Sequence, residues 1–293
     1  MNTNFSIYLK NFRQSLVTAE KSKATIEKYM RDVNSFVDWL FENNCQPENE
    51  TGNDLLNQIT SDNLKSFKEY LLKRYSPKSA NSVLSSLNKL LDFLGLSGLK
   101  LKTVKIQRSL FFEKDKELTK QEYERLLKAS RDKNNQRLFY LMQTICSTGI
   151  RVSELKFITV EAIENKTAVI NLKGKIRTVL LSKQLCKILK EYAKSNNIKS
   201  GSIFVTKTGR PLDRSNIWHD MKKLCESANV RKEKVFPHNL RHLFARTYYN
   251  IQKDIVRLAD ILGHSNIETT RIYTMESGDI HRRQIEKVHM LLC

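Results

Sequence analysis

Residues 236 to 274 read FPHNLRHLFARTYYNIQKDIVRLADILGHSNIETTRIYT and concentrate side chains able to act on a phosphodiester. His238 and Arg241 stand three apart behind Pro237, a residue suited to the first turn of a helix. A helix starting there puts both side chains on one face. A second histidine, His264, ends Leu262-Gly263-His264, and Tyr273 follows nine residues later. Arginine offers a planar fork of donors matched to phosphate oxygens. A tyrosine hydroxyl becomes a covalent nucleophile when a neighbour takes its proton and its charge is stabilised. No cluster of metal ligands accompanies the group, so no metal is expected and the protein's own cations must offset the charge on phosphorus. His242, next to Arg241, points about 100° away from it on a helix and reads as a packing or supporting residue.

A second box, TGIRVSEL, occupies residues 148 to 155. Thr148-Gly149 breaks an apolar helix, and a new helix is expected near Arg151. Glu154, one turn on, is placed to orient that guanidinium. With H-x-L-R-H at 238 to 242, the Leu-Gly-His and the tyrosine, the chain resembles the tyrosine recombinase (phage-integrase) family. Four separate spacings agree in the right order, a far more specific signal than any one alone.

The resemblance implies site-specific DNA recombination. Tyr273 would attack the scissile phosphate, forming a 3′-phosphotyrosyl bond and releasing a 5′-hydroxyl. Arg151 and Arg241, helped by His238 and His264, would hold the non-bridging oxygens, with His238 taking the phenol proton. The family carries a lysine in a β-hairpin that protonates the leaving oxygen. Its G-K-G-x-K-x-R pattern is shortened here to K-G-K-I-R. Lys173 is the better match because it precedes the glycine, with Lys175 the alternative. The phosphotyrosine conserves bond energy, so no cofactor is implied. The implied partners are double-stranded DNA with paired recombination sites and three further copies of the chain. Strand exchange would pass through a Holliday junction in a homotetramer, the free protein being a monomer or dimer. Two departures stand out. Asn250-Ile251-Gln252-Lys253 replaces a turn where relatives have glycine, and Asn250 is expected to take the left-handed conformation. Thr274-Met275 follows the nucleophile where relatives often have Thr-His.

The elements that must position these groups are mostly helical. Leu9, Phe12 and Leu16 share one helical stripe. Ile26, Met30, Val33, Val37 and Leu40 share another, capped by Ser22. Thr60 or Ser61 caps a third helix, and Ser76-Pro77 opens a fourth. The expected fold is mainly α with a small antiparallel β-sheet. Residues 1–105 form a four-helix bundle, which in the family is the SAM-like core-binding domain that clamps DNA. Residues 106–117 form a basic linker, and 118–293 the catalytic domain. Lys100, Lys102, Lys105 and Arg108 make residues 96 to 117 basic and are expected along DNA. Residues 167 to 181 read as a β-hairpin with a Lys173-Gly174-Lys175 turn, and 202 to 206 as a further strand. Trp218 reads as core. Arg177, Lys222 and Lys223 are expected phosphate contacts. From about residue 279, Ile285, Val288, Leu291 and Leu292 make an apolar stripe, which in relatives docks on a neighbouring protomer.

Lys and Arg number 51 against 31 Asp and Glu, a formal charge of +20 that points to a polyanionic partner. Residues 111–293 hold +15 of it and residues 1–110 only +5. No run is apolar enough to span a bilayer, so no membrane partner is expected. Five scattered cysteines without a C-x-x-C pair suit reduced thiols in a cytoplasmic, nucleoid-associated protein. Within the resemblance the two-part layout is Xer-like. An integrase or transposase of a mobile element and a resolvase fit equally. Two other classes compete: DNA relaxation of the type IB topoisomerase kind, and a catalytically silent DNA-binding protein.

Overall fold

A computed structural model describes residues 3–44, 55–106, 114–172, 174–206 and 208–274, with 282, 286 and 287. The chain divides between residues 108 and 109 into two compact units. Lys173, Arg108, Cys45, Cys293 and the apolar stripe expected after residue 279 lie outside the described residues.

The first unit holds α1 (Thr3–Thr18), α2 (Lys23–Asn44), α3 (Ser61–Arg74) and α4 (Pro77–Phe93). Thr60 caps α3 by accepting from the Asn63 amide. Ser76 caps α4 by accepting from Ser79, with Pro77 at its first position. Phe12, Leu16, Val33, Phe36, Leu40, Leu64, Phe67, Leu84 and Leu90 converge on one core. Lys28 does not belong to a free basic face: its ammonium donates to Asp32 Oδ2 at 2.6 Å, Ser86 Oγ at 2.9 Å and the Ser82 carbonyl at 3.0 Å. The basic stretch from residue 96 is also held to the bundle at its start. Asn88 and Asn81 on α4 each make a two-way hydrogen-bonded clamp, on the backbone of Leu101 and of Val104 respectively. Lys100 pairs with Asp92 at 2.5 Å.

The second unit opens with α5 (Lys120–Asp132), started by a capping box between Thr119 and Glu122, and α6 (Gln136–Thr148). Then come α7 (Val160–Glu164), β1 (Thr167–Leu172), β2 (Lys175–Leu180), α8 (Lys183–Ser195) and α9 (Arg214–Lys222). It continues with α10 (Pro237–Gln252) and α11 (Ile255–Leu262). The strands pair antiparallel, with Thr167 opposite Leu180 and Leu172 opposite Lys175, so Lys175 belongs to the strand and not to the turn. Ala168, Ile170 and Val179 face the core, while Val169, Ile176 and Leu180 face outward. Cys186 and Cys225 are buried free thiols, and Cys146 is half-buried.

Four expectations are corrected here. Residues 202–206 form no strand: Ser202 and Val205 make single bridges, to Thr159 and Pro211. The chain turns back after Thr206, whose amide donates to the Arg210 carbonyl, before a ladder can extend. Arg151 opens a 3-10 turn over Val152–Phe157, not an α-helix. Ile158 leaves that turn extended because its carbonyl receives the Ile203 amide. Lys253, not Asn250, takes the left-handed conformation, since α10 runs on to Gln252. Trp218 is exposed: α9 buries Ile217 and Met221, and a neighbour of Ile217 must point away.

Candidate active site

Both glycine motifs solve one problem. Arg241 on α10 is 1 % exposed, so its charge needs compensation inside the protein. Its guanidinium donates to the Gly149 carbonyl at 2.5 Å and to the Leu262 carbonyl at 2.9 Å. Those carbonyls end α6 and α11, where the helix dipole is negative. Each helix stops on a glycine in the left-handed conformation, Gly149 at φ 65° and Gly263 at φ 63°. A Cβ on Gly149 would meet the Phe244 ring at 2.4 Å, and one on Gly263 would meet Arg177 Cδ at 2.4 Å. Burial, with Arg151 nearby, lowers the Arg241 pKa to about 10, which leaves it cationic at neutral pH.

Arg241 has a third partner, His264, at 2.8 Å from Nε2. An arginine only donates, so Nε2 accepts and the imidazole proton sits on Nδ1. That N–H faces Thr270 Oγ1 at 2.8 Å, and Thr270 is fully buried. Desolvation, then Arg241 and Arg151, lowers the His264 pKa to about 4. The ring is neutral and holds Arg241 in place. His238 is likewise lowered to about 4, by desolvation and then by His242, Arg241 and Arg151. Its ring is exposed, so solvent tempers the effect there more than at His264.

Glu154 is 3 % exposed and accepts from the Arg151 amide at 2.7 Å and the Arg151 guanidinium at 3.0 Å. It also accepts from Arg177 at 2.6 Å. Burial raises its pKa, but these bonds outweigh burial and hold it below the usual carboxylate range. Arg177 also donates to the Ile261 carbonyl at 2.6 Å. It is therefore a brace between hairpin, Glu154 and α11, not the free phosphate contact expected of it. Lys222 is partly engaged too, donating to the Lys232 carbonyl and lying 5.2 Å from the Trp218 ring centroid. Lys223 is an exposed lysine 3.7 Å from Asp220. Lys234 is buried against Glu122 at 2.8 Å.

Tyr273 ends a 3-10 turn, Arg271–Tyr273, and is 3 % exposed against Ala245, Leu258 and Leu262. Burial raises its phenol pKa, while Arg241 and Arg151 pull the other way. Its ring stacks on His264 at 6.4 Å and meets His242 edge-on at 5.1 Å. His242 in turn lies 4.4 Å from His238, one turn back on α10. The expectation that His242 faces elsewhere is thus corrected: it diverges from Arg241 but shares a stripe with His238. Two shallow cavities meet at Arg151 and Ser153, one bordered by His264 and Arg177, the other by His238, Arg214 and Trp218. Motif spacing pointed to Arg151, Glu154, His238, Arg241, His264 and Tyr273, and the fold gathers all six. It missed Thr270 and Glu117, which carry no local signal, and it read Arg177, the arginine of the K-G-K-I-R pattern, as a phosphate contact and not as a brace.

A two-unit helical fold with a tyrosine packed among paired arginines and histidines defines a tyrosine recombinase. The chain belongs to the phage integrase family, whose profile matches residues 116–278, and residues 9–98 match the phage integrase N-terminal SAM-like domain. It is 30 % identical to the tyrosine recombinase XerA of Thermococcus kodakarensis, over 97 % of this chain and 95 % of the relative. Among solved structures it is similar to XerH site-specific recombinase bound to its difH substrate. There the TM-score is 0.69 at 23 % identity, over 91 % of this chain and 80 % of that one. A lambda integrase tetramer bound to a Holliday junction is similar in fold, with TM-score 0.67 and 17 % identity, over 92 % and 76 %.

Proposed function

We propose that this protein cuts and rejoins DNA strands at paired specific sites through a phosphotyrosyl intermediate on Tyr273. The observation that carries this reading is Tyr273 packed beside a buried Arg241 that two backbone carbonyls and His264 hold in place. Preorganised cations aimed at developing charge are the largest single source of rate in such chemistry. In this reading Arg241 and Arg151 receive the non-bridging phosphate oxygens, assisted by His238. Glu154 and Arg177 keep Arg151 aimed, and His264 does so for Arg241. Lys173, or else Lys175, protonates the leaving 5′-oxygen. The Xer and integrase relatives favour recombination over relaxation or silent binding.

Further parts of the reading are proposals of the same kind. Residues 1–105 act as a core-binding clamp, 106–117 as the linker, and 118–293 as the catalytic domain. Lys100, Lys102 and Lys105 lie near the DNA backbone. Four copies assemble on two sites, coupled by the segment after about residue 279, and the protein works in the cytoplasm at the nucleoid. A duplex nicked beside the cleavage point tests the core of this. The wild type should become covalently joined to it and transfer the strand to a second site. A protein that binds without ever joining DNA contradicts the reading, and one that joins but never transfers the strand to a second site favours the topoisomerase alternative.

A further inference from the structure

The phenol of Tyr273 is buried and its pKa raised, so attack on phosphorus needs a base within reach. His242 is the histidine that meets this ring edge-on. Its Nε2 is buried and has no hydrogen-bond partner among the described residues. Such an atom is costly unless some working state uses it. On the other side of the ring, Nδ1 stands 3.9 Å from Glu117 Oε1. That gap is too wide for a formed hydrogen bond, but catalytic hydrogen bonds commonly tighten only once substrate is bound. Glu117 is itself fixed, since its Oε2 lies 2.5 Å from Arg246 Nε. Burial raises the Glu117 pKa, yet contact with His242 and Arg246 outweighs burial and keeps it ionised.

We propose that Glu117 and His242 form a proton-accepting pair for Tyr273, with Glu117 holding the Nδ1 proton and Nε2 taking the phenol proton. The inference rests on Tyr273 being the nucleophile. It replaces His238, an exposed residue that packs against His242 at 4.4 Å, as the acceptor. The step balances. The phenol O–H bond breaks and its proton passes to Nε2 as the bond from Oη to phosphorus forms. The bond from phosphorus to the 5′-oxygen breaks, and that oxygen takes a proton from the separate donor assigned above to the hairpin lysine. On rejoining, His242 returns its proton to the phenol. The charged and titratable groups around His242 are Glu117, Tyr273, and His238, Arg241 and Arg246 on its own helix. Arg151 lines one cavity together with His238 and Arg241.

The test uses the full chain and nicked duplexes selected from a randomised library by covalent capture with the wild type. His242→Gln keeps the polarity of the side chain but cannot take up a proton. Its adduct formation should fall about 100-fold while DNA affinity holds, and the acid limb of the pH–rate profile should disappear. Glu117→Gln should give a smaller loss and shift that limb, a change that mere packing damage would not produce. Two substrate-side controls locate the proton. A bridging 5′-phosphorothiolate, whose sulfur leaves without protonation, should not rescue His242→Gln. Difluorotyrosine at position 273, more acidic than tyrosine, should narrow the defect. Rescue by the phosphorothiolate would move His242 to the leaving group and overturn the proposal. So would an unchanged rate and pH profile in both variants. If either variant fails to fold, the wild type carrying difluorotyrosine decides: an unaltered acid limb and rate would count against a base acting on the phenol. If the wild type captures no duplex, the recombinase reading itself fails. If it captures DNA and His242→Gln does so equally well, only this inference fails.

Discussion

Thr270 sets the chemistry of His264 without touching a substrate. Its hydroxyl oxygen accepts a hydrogen bond from the Nδ1–H, which leaves the Nε2 lone pair for Arg241. Thr270→Val removes that acceptor and leaves a buried N–H unsatisfied, at a cost of about 1–3 kcal/mol measurable by urea unfolding. Nitrogen NMR on labelled histidine should show the His264 tautomer becoming mixed, and adduct formation should slow. His264 also fixes the sign of a pH effect. Its folded pKa of about 4 lies below the ordinary value of 6.5 in the unfolded chain. Between these values the unfolded chain binds a proton that the folded chain refuses. Stability should therefore be complete above about pH 6.5 and fall as the pH drops towards 4. His264→Asn should flatten that part of the denaturation profile. That Arg151, Glu154, His238, Arg241, His264 and Tyr273 come together could be foreseen from motif spacing. His242 could not. Its angle to Arg241 is a local quantity, whereas the position of Tyr273 depends on the chain folding back from residue 273.

At the level of elements, the site is a meeting of helix ends. The ends of α6 and α11 present carbonyls to Arg241, and α11 presents a third to Arg177. Gly149→Ala and Gly263→Ala should each cost roughly 1–3 kcal/mol, since both need the left-handed conformation and both lack room for Cβ. Gly174 is also left-handed but open on all sides, so Gly174→Ala should cost less. Chemical denaturation of the three variants checks the order. Helices with side-chain caps were legible, as Thr60 and Ser76 demonstrate. The 3-10 turn after Arg151 and the isolated bridges at Ser202 and Val205 were not. Ser202 and Ile158 are held by partners more than 40 residues away, Thr159 and Ile203, and Val205 by Pro211 across a turn, not by propensity. The same holds for residues 101 and 104, which two asparagines pin to α4.

Across the whole molecule, charge and division into units follow different rules. The excess of +20 could be read directly, and so could its concentration in residues 111–293. How much of it is free to meet DNA could not, because Lys28, Arg177 and Lys234 are engaged within the fold. Binding to a specific duplex should weaken with salt, with a log–log slope of about 0.9 per phosphate neutralised. Lys105→Ala, in an exposed cation of the first unit, should lower that slope by about one without changing which sequence is preferred. Titrations over a range of salt concentrations measure both quantities.

In the proposed reaction one phenol, that of Tyr273, becomes bonded to DNA. The most direct measurement is mass spectrometry of the peptide left attached after the wild type is trapped on a nicked duplex and digested. A single modified peptide is expected, with the nucleotide on Tyr273, and no modified peptide from Tyr273→Phe although it still binds the duplex. A nucleotide found on any other residue, or an adduct that survives in Tyr273→Phe, would contradict it.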